Sequence, residues 1–127
     1  MRIMKIQTPT SLGELYDKVT ILEIKLANIK DAEKIKNIKV EYAYLKAIAN
    51  QHEIDHDLYQ GLLWINQDLW KIEDDIRECE RQKEFSEKFI QLARNVYITN
   101  DKRSDIKKQI NIAYGSDLVE EKSYGAY

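Results

Sequence analysis

His52-Glu53-Ile54-Asp55-His56 is a literal HExxH string. In zinc peptidases such a string sets two imidazoles one helical turn apart on one face, with the glutamate beside the metal-bound water. Here the surroundings are wrong for that chemistry. The string is flanked by Asn50, Gln51 and Asp57, in a polar stretch rather than an apolar-backed helix, and the chain holds no further histidine to act as a third ligand. It reads as a solvated connector.

The next cluster able to do chemistry is the acidic run Glu73, Asp74, Asp75, Glu78 and Glu80. Carboxylates on facing helices can hold Mg²⁺, and all-α nucleotide pyrophosphohydrolases use two Glu-x-x-Glu/Asp pairs on consecutive helices. Glu84-x-x-Glu87 offers one pair, but Asp101 and Asp105 are four apart, so the second pair fails. No metal site and no cofactor is expected. Charge is spread unevenly along the chain: residues 1–50 hold nine Lys/Arg against six acids, and 51–99 hold six against eleven. Ion pairing between the acidic run and Lys25, Lys30, Lys34, Lys36 and Lys39 accounts for that asymmetry, each exposed pair adding about 0–1 kcal/mol.

These residues must be carried by four apolar seams with steps of three and four. Ser11-Leu-Gly-Glu14 is a capping box that opens helix one, expected over 12–30 on Leu12, Leu15, Val19, Leu22, Leu26 and Ile29. Asp31 caps helix two, 32–50, whose seam is Ile35, Ile38, Tyr42, Leu45 and Ala49. Helix three, 57–82, has the cleanest seam: Leu58, Leu62, Ile65, Leu69, Ile72, Ile76 and Cys79. Helix four, 84–114, runs from Phe85, Phe89, Leu92 and Val96 to Ile106, Ile110 and Ala113, but Thr99 and Arg103 interrupt its seam. Either one helix near 45 Å long buries polar groups midway, or the chain kinks at Asn100-Asp101. Gly115 supplies the stop. Residues 1–10, with Ile3, Met4, Ile6 and Pro9, read as an extended arm or short strand, and 116–127 as a turn of helix or an extended strap lying back on the bundle. The expected architecture is all-α: a single domain, 1–127, built as an antiparallel four-helix bundle with coiled-coil-like seams. Seams this regular also suit a homodimer.

Beside the seams lies a polar stripe. On helix three it reads Tyr59, Leu63, Asn66, Trp70, Glu73 and Arg77, and on helix four Tyr97, Asn100, Ser104, Lys107 and Asn111. Hairpin arithmetic sets Asn66 level with Asn100, with Tyr42–Tyr44 and with Asp17–Thr20, and puts Arg103 at an adjacent turn. Hydrogen-bonding groups therefore converge at mid-bundle, where a core is normally apolar. A buried Arg103 needs a partner, and Asp17 is the nearest by height. The layer is either a satisfied network that sets register or a ligand site.

Composition limits the function classes. Of 127 residues 33% are charged and 43% hydrophobic, a globular mix with room for one core. No apolar run approaches the roughly 20 residues that span a bilayer, so no membrane partner is expected. A net charge of −2 disfavours a general nucleic-acid binder. The lone Cys79 allows no intrachain disulfide and suits a reducing, cytoplasmic compartment.

Glu14-Leu-Tyr-Asp17-Lys18-Val-Thr20-Ile-Leu-Glu23-Ile-Lys25 resembles the opening signature of a functionally uncharacterised family of short proteins from bacteria and their phages. The similarity continues through Asn66-Gln-Asp-Leu-Trp70-Lys-Ile-Glu73-Asp-Asp75-Ile-Arg77, then Asn100-Asp101-Lys-Arg103, Lys107 with Ile110-Asn111, and Glu120-Glu121-Lys122-Ser-Tyr124. The resemblance implies a common fold and brings no activity, and the HExxH string is no part of it. The sequence therefore supports a binding or interaction module for a small polar ligand or protein partner, with candidate ligand-binding residues Asp17, Lys18, Asn66, Trp70, Glu73, Arg77, Asn100, Arg103 and Lys107. The alternative is a small all-α enzyme acting on an anionic substrate such as a nucleotide, with Mg²⁺ in one version and with Arg77, Arg103 and Lys107 alone in another.

Overall fold

A computed structural model describes residues 4–127. Four helices follow one another: α1 (Leu12–Asn28), α2 (Ala32–Ala49), α3 (His56–Arg81) and α4 (Glu87–Ala113). Among the described residues there is no strand, and none of the four helices is long and apolar enough to cross a membrane. The chain is an all-α four-helix bundle. Residues 4–10 form an irregular exposed arm, and the Ile3 of the expected arm lies outside the described residues.

The helix starts follow their caps. Ser11 Oγ accepts from Glu14 N at 3.1 Å, and Asp31 Oδ1 accepts from Lys34 N at 3.0 Å. Only half of the capping box forms, because the Glu14 side chain turns instead to Lys107 Nζ, 2.7 Å away. The HExxH string is broken by a helix start: Asp55 is the N-cap of α3, and only His56 is helical. The two imidazoles therefore do not share one helical face.

α4 begins at Glu87 rather than 84 because α3 closes with a Schellman turn. Lys83 N donates to Glu80 O (3.1 Å), Glu84 N donates to Cys79 O (2.8 Å), and Lys83 itself sits at φ 55°. Gly115 (φ 64°) ends α4 by the same motif, with Ser116 N on Asn111 O at 2.8 Å. Between these stops α4 is one continuous helix. There is no break at Asn100-Asp101.

α1 packs against all three other helices, and α3 and α4 pack on each other. From Ser11 to Thr20 only Lys18 is exposed. Tyr16, Thr20 and Ile24, off the expected seam, are buried beside Leu15, Val19 and Leu22 because three helices cover α1. The main core joins Leu15, Tyr16, Val19, Ala49, Leu62 and Ile110. α2 lies chiefly on α1, held at its end by the Tyr16 hydroxyl, which reaches the Ala49 and His52 carbonyls at 2.9 and 2.8 Å. Further up, Glu23 Oε1 accepts from both the Tyr42 and the Tyr59 hydroxyls. Burial and that carboxylate push both phenols above their ordinary pKa, Tyr59 far above it. Cys79 is buried.

α2 makes no close backbone contact with α3, and the expected pairing of acids with the helix one–two lysines does not form. The α3 acids pair locally: Lys71–Asp75 at 3.0 Å, Arg77–Glu73 at 3.4 Å, Arg81–Glu78 at 2.5 Å and Lys83–Glu80 at 3.7 Å. These exposed pairs, three or four residues apart, contribute about 0–1 kcal/mol each.

Candidate functional site

The polar layer is real and is organised by α1. Asn66 Nδ2 of α3 donates to Asp17 Oδ1 and to Thr20 Oγ1, both at 2.9 Å, and all three residues are buried. The height relation between α1 and α3 is thus the one expected. The cation is not. Asp17 Oδ2 faces Lys107 Nζ at 3.8 Å rather than Arg103. Lys107 is 7% exposed and also meets Glu14 at 2.7 Å and Glu120 of the tail at 3.1 Å. Burial works against its charge, but the hydrogen bonds it donates to Glu14 and Glu120 and the field of Asp17 outweigh it and raise the Lys107 pKa. Lys107 in turn holds Glu120 below the ordinary carboxylate range.

Just below, the start of α1 locks onto the end of α4. Gly13 N donates to Asn111 Oδ1 at 2.7 Å, and Leu12 N to Ser116 Oγ at 3.2 Å. The first amides of α1 are therefore all paired. The approach is close enough to require glycine: a Cβ on Gly13 would stand 2.5 Å from Lys107 O and 3.0 Å from Asn111 Oδ1.

One turn up α4, on the same face, the chain leaves a gap. Arg103 Nε is buried with no hydrogen-bond partner. Ion pairs of α4 among the described residues are made by Lys107 and Lys108. Arg103 lines a groove of about 540 Å³ between α1, α3 and α4. From α3 come Asn66, Leu69, Trp70, Glu73, Asp74 and Arg77, from α4 Asn100, and from α1 Ile21 and Lys25. Such a volume falls within the roughly 300–1,000 Å³ of ordinary small-molecule sites.

Six of the nine expected site residues, Asn66, Trp70, Glu73, Arg77, Asn100 and Arg103, thus line one groove. Asp17 and Lys107 form the ion pair beneath it. Lys18 is exposed and lines a different hollow, with the arm and α2. Of the tyrosines placed at this level, Tyr42 bonds Glu23, while Tyr44 points outward beneath Lys5. Sequence reasoning missed Gly13, Glu14, Lys25 and Glu120. A glycine in the first turn of a well-capped helix was the one available signal for a close approach. Among the described residues no group of three or more His, Cys, Asp or Glu is arranged to hold a metal ion.

No curated protein and no solved structure matches the chain. The model of the DUF6165 family, a family of unknown function, matches residues 4–127, and the chain belongs to that family.

Proposed function

For this member of a family of unknown function we propose a binding module that holds a small polar ligand in the groove between α1, α3 and α4, with Arg103 receiving the ligand's anionic group. One observation carries the reading: the buried, unpartnered Nε of Arg103. A buried donor without an acceptor costs about 1–3 kcal/mol, more when charged, and a carboxylate or phosphate oxygen supplies the missing acceptor. Of the other charged residues that line the groove, Arg77 pairs with Glu73 at 3.4 Å and Lys25 is matched in number by Asp74, so the anion-receiving charge is that of Arg103, while the Asn66 and Asn100 amides and the Trp70 ring line the walls. A hydrolase built on the α3 acids has less support, since Glu73, Asp75, Glu78 and Glu80 each pair with a base on their own helix or its closing turn.

Calorimetric titration with inorganic phosphate tests the reading. Wild-type protein binds it, and Arg103→Met weakens binding about tenfold or more, the loss of one charge-assisted bond. Equal affinity in the two proteins, or no binding to wild type, removes the proposal. A homodimer is a separate part of it, supported by the outer stripe of α2, where Val40, Tyr44 and Ile48 are about half exposed. Sedimentation velocity reads this directly, and a monomer at micromolar concentration removes the dimer while leaving the groove untouched.

A further inference from the structure

Arg103 and Asn100 belong to a second chamber as well. It holds about 380 Å³ on the tail side of α4 and is walled by Tyr97, Asp101, Lys122, Tyr124 and Tyr127. The tail is fastened on both sides of this chamber. Glu120 and Glu121 reach Lys107 and Lys108 at 3.1 and 3.4 Å. At the far side, the Tyr127 hydroxyl donates to Asp101 Oδ2 at 2.5 Å, and the Tyr127 and Tyr97 rings meet edge to face with centroids 5.3 Å apart. Between the anchors the chamber offers two cations, Arg103 and Lys122. Its one acid, Asp101, is already engaged by Tyr127. Three phenol rings make up much of the remaining wall.

Three aromatic faces beside two cations fit one kind of small molecule. Rings attract rings in stacked or edge-to-face arrangements at 4.5–7 Å between centroids, and an anion beside them is held by the cations. We infer that the ligand whose anion Arg103 receives reaches past Asn100 and Arg103, the two residues common to the groove and the chamber, and carries a flat aromatic ring next to its anionic group, the ring seated among Tyr97, Tyr124 and Tyr127. The inference rests on the reading of Arg103 as an anion receptor and adds the class of molecule: an aryl phosphate or aryl carboxylate. It also gives the C-terminal tail a part in the site, as the wall that selects for the ring.

Inorganic phosphate and phenyl phosphate separate the two claims. Wild-type protein should bind phenyl phosphate about tenfold tighter than phosphate, the effect of one aromatic contact or two. Tyr97→Leu and Tyr124→Ala should each reduce that advantage and leave phosphate affinity unchanged, while Tyr44→Ala, on the far side of the bundle, should alter neither. Tyr124 is 82% exposed, so its replacement leaves the fold intact. Equal affinity for the two probes, or an advantage that survives both chamber variants, overturns the aromatic class while the anion site stands. If neither probe binds wild type, the anion reading falls and this inference falls with it.

Discussion

Lys107 and Arg103 sit one turn apart on the same face of α4, and their surroundings are opposites. Around Lys107 every nearby charge and amide has a partner: Glu14, Asp17 and Glu120 on the ammonium, Asn66 on Asp17, Asn111 on the amide of Gly13. Around Arg103 a groove opens between α1, α3 and α4, and the guanidinium Nε is left without an acceptor. Helix packing explains the difference. At Lys107 the backbones of α1 and α4 approach across Gly13, which brings Glu14 and Asp17 of α1 within reach of the ammonium, while the tail side of the same stretch opens on a cavity of about 490 Å³ lined by Lys107, Asn111 and Glu120. At Arg103 the bulky Trp70 and the side chains of Ile21 and Lys25 line the space between the helices. A paired network and an unpartnered guanidinium Nε thus share one helix face.

The comparison breaks most visibly at Lys107. Lys107→Met leaves three carboxylates without their cation and should cost about 3–5 kcal/mol, the usual penalty for removing one partner of a buried ion pair. Urea denaturation measures it, and a loss below about 1 kcal/mol would mean the network contributes little. Gly13→Ala comes next. It forces α1 and α4 apart at their closest approach and should cost about 1–3 kcal/mol by overpacking, read as a lower urea midpoint.

The pH profile sharpens the contrast without changing a residue. Lys107 is raised above its ordinary 10.5, so its contribution is complete below that value and is lost as pH climbs through the folded pKa. Tyr16, Tyr42 and Tyr59, raised above 10.0, lose theirs in the same alkaline window. Glu120 is lowered from 4.5, so its contribution is present above that value and fades as pH falls through the folded pKa. Stability should be level between these limits and fall on both sides, with a shallower acid fall in Glu120→Gln. A far smaller effect lies at the α3 turn. Lys83→Gly relieves a left-handed lysine and should stabilise by about 0.5–1 kcal/mol, seen as a slightly higher melting temperature.

Much of this was legible in the sequence, for definite reasons. Seam spacing fixes heights along helices joined by short turns, so Asn66 was set level with Asp17 and Thr20 correctly. The same arithmetic is good only to about one turn. α4 carries a base at 103 and another at 107, so a one-turn error exchanged the orphan for the paired residue. The central position of α1 was hidden because a helix covered on three sides still shows a regular seam, and nothing local marks Tyr16, Thr20 and Ile24 as buried. The acidic run was matched to the wrong lysines because its i,i+3 and i,i+4 partners Lys71, Arg77 and Arg81 were at hand on the same helix. Glu120 reached Lys107 from an aperiodic tail, where no spacing rule applies.

If Arg103 serves a ligand and not the fold, the unfolding free energy of ligand-free Arg103→Met will show it. Methionine keeps most of the side-chain volume and removes a buried donor that has no acceptor. The variant should be as stable as wild type or up to about 1 kcal/mol more stable. A loss of about 2 kcal/mol or more, approaching that of Lys107→Met, would show that the guanidinium is held by partners of its own and would contradict the account.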